Sequence, residues 1–254
     1  MRLEEKTTNQ IKQYTNALDF SEEALILRTK EYLDKFPKEL YKSDIVAKDR
    51  RNATRKDGYS TTDTKKRFCE VISNVLFKSS VNIEEDSQCT YNSGRRVEKI
   101  KNLCIPDFNE YIINKSDKYS ETKLVHCLCK QKTINGFEAV DFQVPTTNGG
   151  SDKIDLMLKK DTNVYMVEVK TFNSDESILR CVLEIETYYQ KLNNRFFEKY
   201  CPNHETLHKA ILIDEKSWAF SQINQDWSQK LLKNFNISVL VLDEESGKFV
   251  IKEA

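Results

Sequence analysis

Two short stretches near the middle of the chain contain residues that could bind a metal ion and hydrolyse a phosphodiester. Asp155 stands in one apolar segment, and Glu168 and Lys170 stand in the next, separated by a single valine. Carboxylates supply the hard oxygen ligands that Mg²⁺ prefers, and a lysine ammonium can orient a water and offset charge on a phosphate. Burial could also lower the pKa of Lys170 enough for proton transfer. Hydrolysis is expected if the three side chains meet.

A Glu-x-Lys triplet is weak evidence by itself, because charged residues commonly alternate along the exposed face of a strand. Residues i and i+2 of a strand lie about 6.6–7 Å apart on one face, so Glu168 and Lys170 could reach the same phosphate. The hypothesis therefore depends on the elements that hold these residues and on whether Asp155 lies beside them.

The surrounding segments predict a three-stranded β-meander. Residues 137–144 alternate in polarity, an Asn-Gly turn follows, and residues 153–158 and 164–171 form two further segments of strand length. Turns of this kind join antiparallel neighbours. The meander should therefore place Asp155 next to Glu168.

Helices are predicted on both sides of this meander. The run SETKLVHCLCK precedes it, and a helix, a buried strand of parallel type, a second helix and two closing strands follow. These later elements are predicted over residues 177–192, 210–213, 221–235, 237–242 and 248–251. Without the last closing strand, the order is α-β-β-β-α-β-α-β, which predicts an α/β fold with a mixed sheet covered by helices.

The stretch GGSDKIDLMLKKDTNVYMVEVKTF resembles the hairpin of the PD-(D/E)xK, or restriction-endonuclease-like, nuclease superfamily. Asp155 matches the motif aspartate and Glu168-Val169-Lys170 matches (D/E)xK, whereas Ile154 stands where the family has proline. The resemblance covers about residues 117–254. It implies a restriction-endonuclease-like core, α-β-β-β-α-β, with helices flanking a mixed sheet.

The resemblance also implies an activity and a site. The expected enzyme is an Mg²⁺- or Mn²⁺-dependent endonuclease that cleaves DNA in preference to RNA, with Asp155 and Glu168 as metal ligands and Lys170 as a third catalytic residue. Members often have an acidic residue on the helix before the first strand, and Glu121 corresponds to it. Glu110 is the alternative residue for this acidic position. An acid in a first helical turn also interacts favourably with the helix dipole, which would explain Glu121 without a catalytic role.

Two further family features match less closely. Some branches have a QxxxY pair on the helix after the motif, and here Glu184 and Tyr188 have that spacing, with Glu in place of Gln. Many such nucleases pair to cut both strands of DNA, so a homodimer is an expectation of the resemblance alone.

The N-terminal part of the chain predicts a mostly helical domain. A helix capped by Ser21 ends before Pro37, a short helical run follows, and residues 68–76 have apolar side chains at helical spacing. Nine basic and four acidic residues between positions 42 and 67 could bind phosphates or simply be solvated. We assign residues 1–116 to this domain, for recognition or partner binding, and residues 117–254 to the nuclease-like domain.

The overall composition indicates no particular class of binding partner. Lys plus Arg and Asp plus Glu both total 40, so no net charge attracts the chain to a polyanion. Seven scattered cysteines favour reduced thiols in the cytoplasm, and no signal peptide or membrane span is expected. A genome-defence effector that waits for an activating partner fits this hypothesis. The alternative is a catalytically inactive nuclease-fold module that binds nucleic acid or a protein.

Overall fold

The computed structural model of the protein describes residues 20–47, 58–91, 120–148, 152–172, 174–203 and 205–254. By its contacts the chain divides into two compact units, Met1–Val81 and Asn82–Ala254. The predicted boundary between residues 116 and 117 lies outside the described ranges, as does Glu110. Within those ranges, no helix combines the length and the apolar character needed to cross a membrane.

The named elements of the first unit are all helices. Helix α1 (Glu22–Lys35) is capped as predicted by Ser21, whose Oγ accepts a hydrogen bond from the Ala24 N–H at 3.2 Å. A 3₁₀ helix (Pro37–Lys42), α2 (Asp44–Ala47) and α3 (Phe68–Leu76) follow. The apolar stripe of α3 is buried, which confirms that this face belongs to the core.

The second unit is a mixed α/β structure. Its elements in chain order are α4 (Ser120–Gln131), β1 (Thr133–Ile134), β2 (Phe137–Pro145), β3 (Lys153–Lys160), β4 (Asn163–Lys170), α5 (Ile178–Gln190), α6 (Asn194–Tyr200), β5 (Thr206–Asp214), a 3₁₀ turn (Phe220–Gln222), α7 (Asp226–Asn234), β6 (Ile237–Glu245) and β7 (Lys248–Glu253).

The described strands form one seven-stranded sheet in chain order, β1 to β7. Strands β1 to β4 pair antiparallel, as do β6 and β7, whereas β5 is parallel to both β4 and β6. The sheet curls so that its two edge strands approach each other. The side-chain amide of Asn135, next to β1, donates a hydrogen bond to the Ile251 carbonyl of β7 at 3.3 Å.

The two faces of the sheet are covered by different helices. Helix α4 packs on the face formed by side chains such as Leu156, Leu158, Val167 and Val169, all fully buried in one apolar cluster. Helix α5 packs on the opposite face of β3, β4 and β5. Because side chains alternate along a strand, the polar residues that flank those of the apolar cluster point away from it, on the side of α5.

Most predicted elements are confirmed, with three differences. The predicted helix over residues 221–235 is too long, because Gln225 is extended (ψ 141°) and acts as the N-cap of α7. The parallel strand predicted over residues 210–213 extends to Thr206–Asp214. The short strand β1 and the short helix α6 were not predicted.

Candidate active site

Asp155 lies where the pairing of β3 with β4 ends. The ladder is regular from Lys160↔Asn163 to Leu156↔Val167, which brings Asp155 opposite Glu168 in the next position. There the Asp155 Oδ2 accepts a hydrogen bond from the Val169 N–H at 3.0 Å. This hydrogen bond fixes the orientation of the Asp155 carboxylate relative to β4.

The other oxygen of Asp155 contacts the neighbouring strand β2. Gln143 lies opposite Asp155, between the pairs Phe142↔Leu156 and Val144↔Ile154, and its Nε2 donates to the Asp155 Oδ1 at 3.1 Å. Sequence reasoning did not identify Gln143, because nothing in the sequence distinguishes this glutamine from a surface one.

Glu168 and Lys170 form a close, buried ion pair. The Lys170 Nζ lies 2.6 Å from the Glu168 Oε1, and the two side chains are only 5% and 4% exposed. The Glu121 Oε1 of α4 lies 3.7 Å from the same ammonium, and the Glu121 side chain is 41% exposed. The structure therefore brings the predicted residues together and opens the cluster to solvent beside Glu121.

Three residues in and before α5 complete the cluster. The Glu176 carboxylate lies 2.8 Å from the Lys170 Nζ and 2.9 Å from the Arg180 Nε. The Glu184 Oε2 lies 3.9 Å from the Lys170 Nζ, and the Tyr188 hydroxyl donates to the Glu184 Oε1 at 2.8 Å. The spacing of Glu184 and Tyr188 was visible in the sequence, whereas Glu176 and Arg180 form an ordinary i, i+4 pair without a distinguishing signal.

The cluster contains more acidic than basic groups. Five carboxylates surround two cations, which leaves an excess of three negative charges when all are ionised; the members are Glu121, Asp155, Glu168, Glu176, Glu184, Lys170 and Arg180. Burial raises the pKa of Asp155 to about 7, with Lys170 opposing the shift. Burial, Asp155 and Glu184 together raise the pKa of Glu168 well above its ordinary range.

The ammonium of Lys170 shows the opposite behaviour to the one expected from burial alone. Its pKa is raised well above the ordinary value, because attraction to Glu168, Glu121, Glu184 and Glu176 outweighs desolvation. The lowering that burial could have caused is therefore not found in the metal-free protein. The surrounding glutamates hold Lys170 there as a cation.

Comparison with known proteins adds little to this geometry. No protein-family model matches the sequence, and no curated protein matches it. Among solved structures, Pyrococcus furiosus SfsA in complex with Ca²⁺ is similar with 13% identity and a TM-score of 0.25. The similarity covers 55% of this chain and 63% of SfsA, which is less than two thirds of that protein. A likeness this low supports no argument, and membership of the PD-(D/E)xK superfamily stays a prediction.

The donor set of the cluster fits a hard divalent cation. Among the residues that the structure describes, no three His, Cys, Asp or Glu side chains are grouped as a ready-made metal site. Mg²⁺ does not need such a group, because proteins usually hold it through one or two carboxylates, with water and phosphate completing the coordination. Asp155 and Glu168 supply two such carboxylates, and a cation would offset the excess negative charge.

Proposed function

We propose that this protein is a metal-dependent nuclease with a restriction-endonuclease-like core, which hydrolyses phosphodiester bonds. The observation that supports this best is the convergence of Asp155, Glu168 and Lys170 from adjoining strands in one largely buried cluster. The order from α4 through the meander to α5 and β5 agrees with such a core, with β1 and α6 as additional short elements. The preference for DNA over RNA rests on the family resemblance alone.

The roles of the residues follow from their environment. Asp155 and Glu168 would hold Mg²⁺ or Mn²⁺, which when bound stabilises negative charge on a phosphate. Lys170, which the surrounding glutamates hold as a cation in the metal-free protein, would orient the attacking water and offset charge on the transferring phosphate. Glu121, at the solvent opening, would hold a water or support the ion.

Cleavage assays test this proposal directly. Purified protein is incubated with supercoiled plasmid, single-stranded DNA or RNA in Mg²⁺, Mn²⁺ or EDTA. We expect metal-dependent cleavage that Lys170→Ala reduces by about 100-fold or more, because a buried charge-stabilising group is lost. Lys160→Ala, at the opposite end of the same hairpin, is the matched control and should cut like wild type. Equal cleavage by wild type and Lys170→Ala would refute the proposed site.

A dormant enzyme needs a separate measurement. An effector that waits for a partner, recruited through the N-terminal residues, would show no cleavage when pure but should still bind Mn²⁺ through Asp155 and Glu168. Titration calorimetry with Mn²⁺ alone, on wild type and Glu168→Gln, measures this. A catalytically inactive module would instead bind nucleic acid equally well in EDTA and show no Mn²⁺ binding that depends on Glu168.

A further inference from the structure

One residue of the sheet has a backbone conformation that strands rarely contain. Eight non-glycine residues of the described ranges have positive φ, and seven of them lie in turns or loops. The eighth, Gln143, lies inside β2 with φ 49°. This left-handed region is unfavourable for any residue with a Cβ and is the usual place for glycine. Something at this position must therefore favour glutamine over glycine.

The side chain of Gln143 makes a contact with Asp155 that a glycine could not make. Its Nε2 donates to the Asp155 Oδ1 at 3.1 Å, while the Val169 N–H donates to the Oδ2 at 3.0 Å. Each carboxylate oxygen accepts two hydrogen bonds or ligands in total, so each keeps one lone pair for a cation. The two donors come from strands on either side of β3, and together they fix both the position and the rotation of the carboxylate.

The backbone conformation and the side-chain contact belong together. Because φ sets the direction in which the Cα–Cβ bond leaves a strand, the left-handed conformation at Gln143 directs the amide relative to Asp155. Strained residues of this kind persist where the surrounding structure holds them, and they cluster at functional sites. Glycine would fit the backbone better but has no amide to donate.

We propose that Gln143 is a positioning residue, which orients the Asp155 carboxylate to bind a divalent cation, and that β2 retains its strained conformation for this purpose. The inference rests on the proposed function, since it takes Asp155 as a metal ligand. A purely structural glutamine would contribute to stability only. A positioning glutamine also contributes to cation binding, so a variant that relieves the backbone strain but lacks the amide still binds the cation weakly.

Three variants separate these two effects. Gln143→Met keeps the size and the backbone strain but removes the amide, whereas Gln143→Gly removes both the amide and the strain. Ser246→Gly is the matched control, because Ser246 has φ 51° in the exposed turn between β6 and β7 and its replacement changes no charge. Mn²⁺ affinity is measured by titration calorimetry. Thermal unfolding is followed by the fluorescence of Trp218 and Trp227, the two tryptophans of the chain.

We expect both Gln143 variants to bind Mn²⁺ about 10-fold more weakly than wild type, as is typical for the loss of a group that orients a metal ligand. The Tm of Gln143→Gly should lie about 2 °C above that of Gln143→Met, because strain is relieved. Ser246→Gly should bind Mn²⁺ like wild type. The more stable Gln143 variant is thus still deficient in cation binding, which a structural role does not explain.

Results that contradict the role of Gln143 differ from results that contradict the proposed nuclease function. Wild-type affinity in Gln143→Met, or a Tm of Gln143→Gly below that of Gln143→Met, would overturn the positioning role while leaving the nuclease proposal intact. Absence of Mn²⁺ binding in wild type would overturn the metal-dependent function, and the role of Gln143 with it.

Discussion

The hairpin of β3 and β4 has ion pairs at both ends, and the two ends differ in burial and in charge balance. At the turn end, Lys159 pairs with Glu205 at 2.9 Å and Lys160 pairs with Glu253 at 3.1 Å, with lysine side chains 38% and 37% exposed. At the other end, the Lys170 side chain is 5% exposed and lies within 4 Å of four glutamates. One end has single pairs whose lysines are partly exposed, and the other has a buried, mainly acidic cluster.

The ion pairs at the turn end contribute little to stability, whereas the buried cluster at the other end opposes it. Exposed pairs gain little in water, about 0–1 kcal/mol, and can change without consequence. Buried charges lose their hydration, and apolar residues of similar volume would often be more stable in their place. An acidic excess around Lys170 therefore has no explanation in stability alone, and it is consistent with the proposed cation site.

The largest expected effect is that of Lys170→Met, which removes the central cation and leaves buried carboxylates without it. We expect a loss of about 3 kcal/mol in the free energy of unfolding at pH 8, because an uncompensated buried charge is strongly unfavourable. The loss should be smaller at pH 5, where the carboxylates can take up protons. Urea unfolding followed by the fluorescence of Trp218 and Trp227 measures both values. A change below about 1 kcal/mol at pH 8 would show that the cluster is not held by this ammonium.

A smaller effect is expected from pH in metal-free protein. The pKa of Asp155 is raised from 3.8 to about 7, chiefly by burial. Between these values the folded state holds a proton that the unfolded chain releases, so stability falls as pH rises through this window. We expect the Tm to drop by roughly 4 °C from pH 5 to pH 8.

Two controls connect this pH dependence to the site. Asp155→Asn should flatten the slope of Tm against pH, because its side chain does not titrate. Added Mn²⁺ should oppose the drop at pH 8 by binding the ionised carboxylates. A Tm that rises over the same interval, with Asp155→Asn unchanged from wild type, would contradict the raised pKa of Asp155.

The sequence predicted the frame of the site well because local signals specify it. Alternating polarity defines the strands of the meander, and the register then places Asp155 opposite Glu168. The predicted Asn-Gly turn lies partly outside the described residues. Ser21 marks a helix start through its capping hydroxyl, and it caps α1 in the structure.

The rest of the site depends on tertiary contacts that no local pattern encodes. Glu176 and Arg180 join the cluster only because α5 packs against β4, and Gln143 matters only because its backbone is left-handed. The direction of the Lys170 pKa shift could not be read from the sequence for the same reason. Burial alone lowers a lysine pKa, but glutamates from α4, β4, α5 and the residues just before α5 reverse the result.

The smallest expected effect completes the comparison at the turn end of the hairpin. Lys160→Met removes the pair with Glu253, whose side chain is 63% exposed, so unfolding free energy should change by less than about 1 kcal/mol. The Lys160 Nζ also lies 4.7 Å from the centre of the Phe137 ring, and a methionine side chain keeps an apolar contact there. Urea unfolding beside Lys170→Met measures the contrast on one hairpin. If the two substitutions cost similar free energy, burial and charge imbalance do not distinguish the two ends, and the argument from Lys170 to a cation site loses its basis.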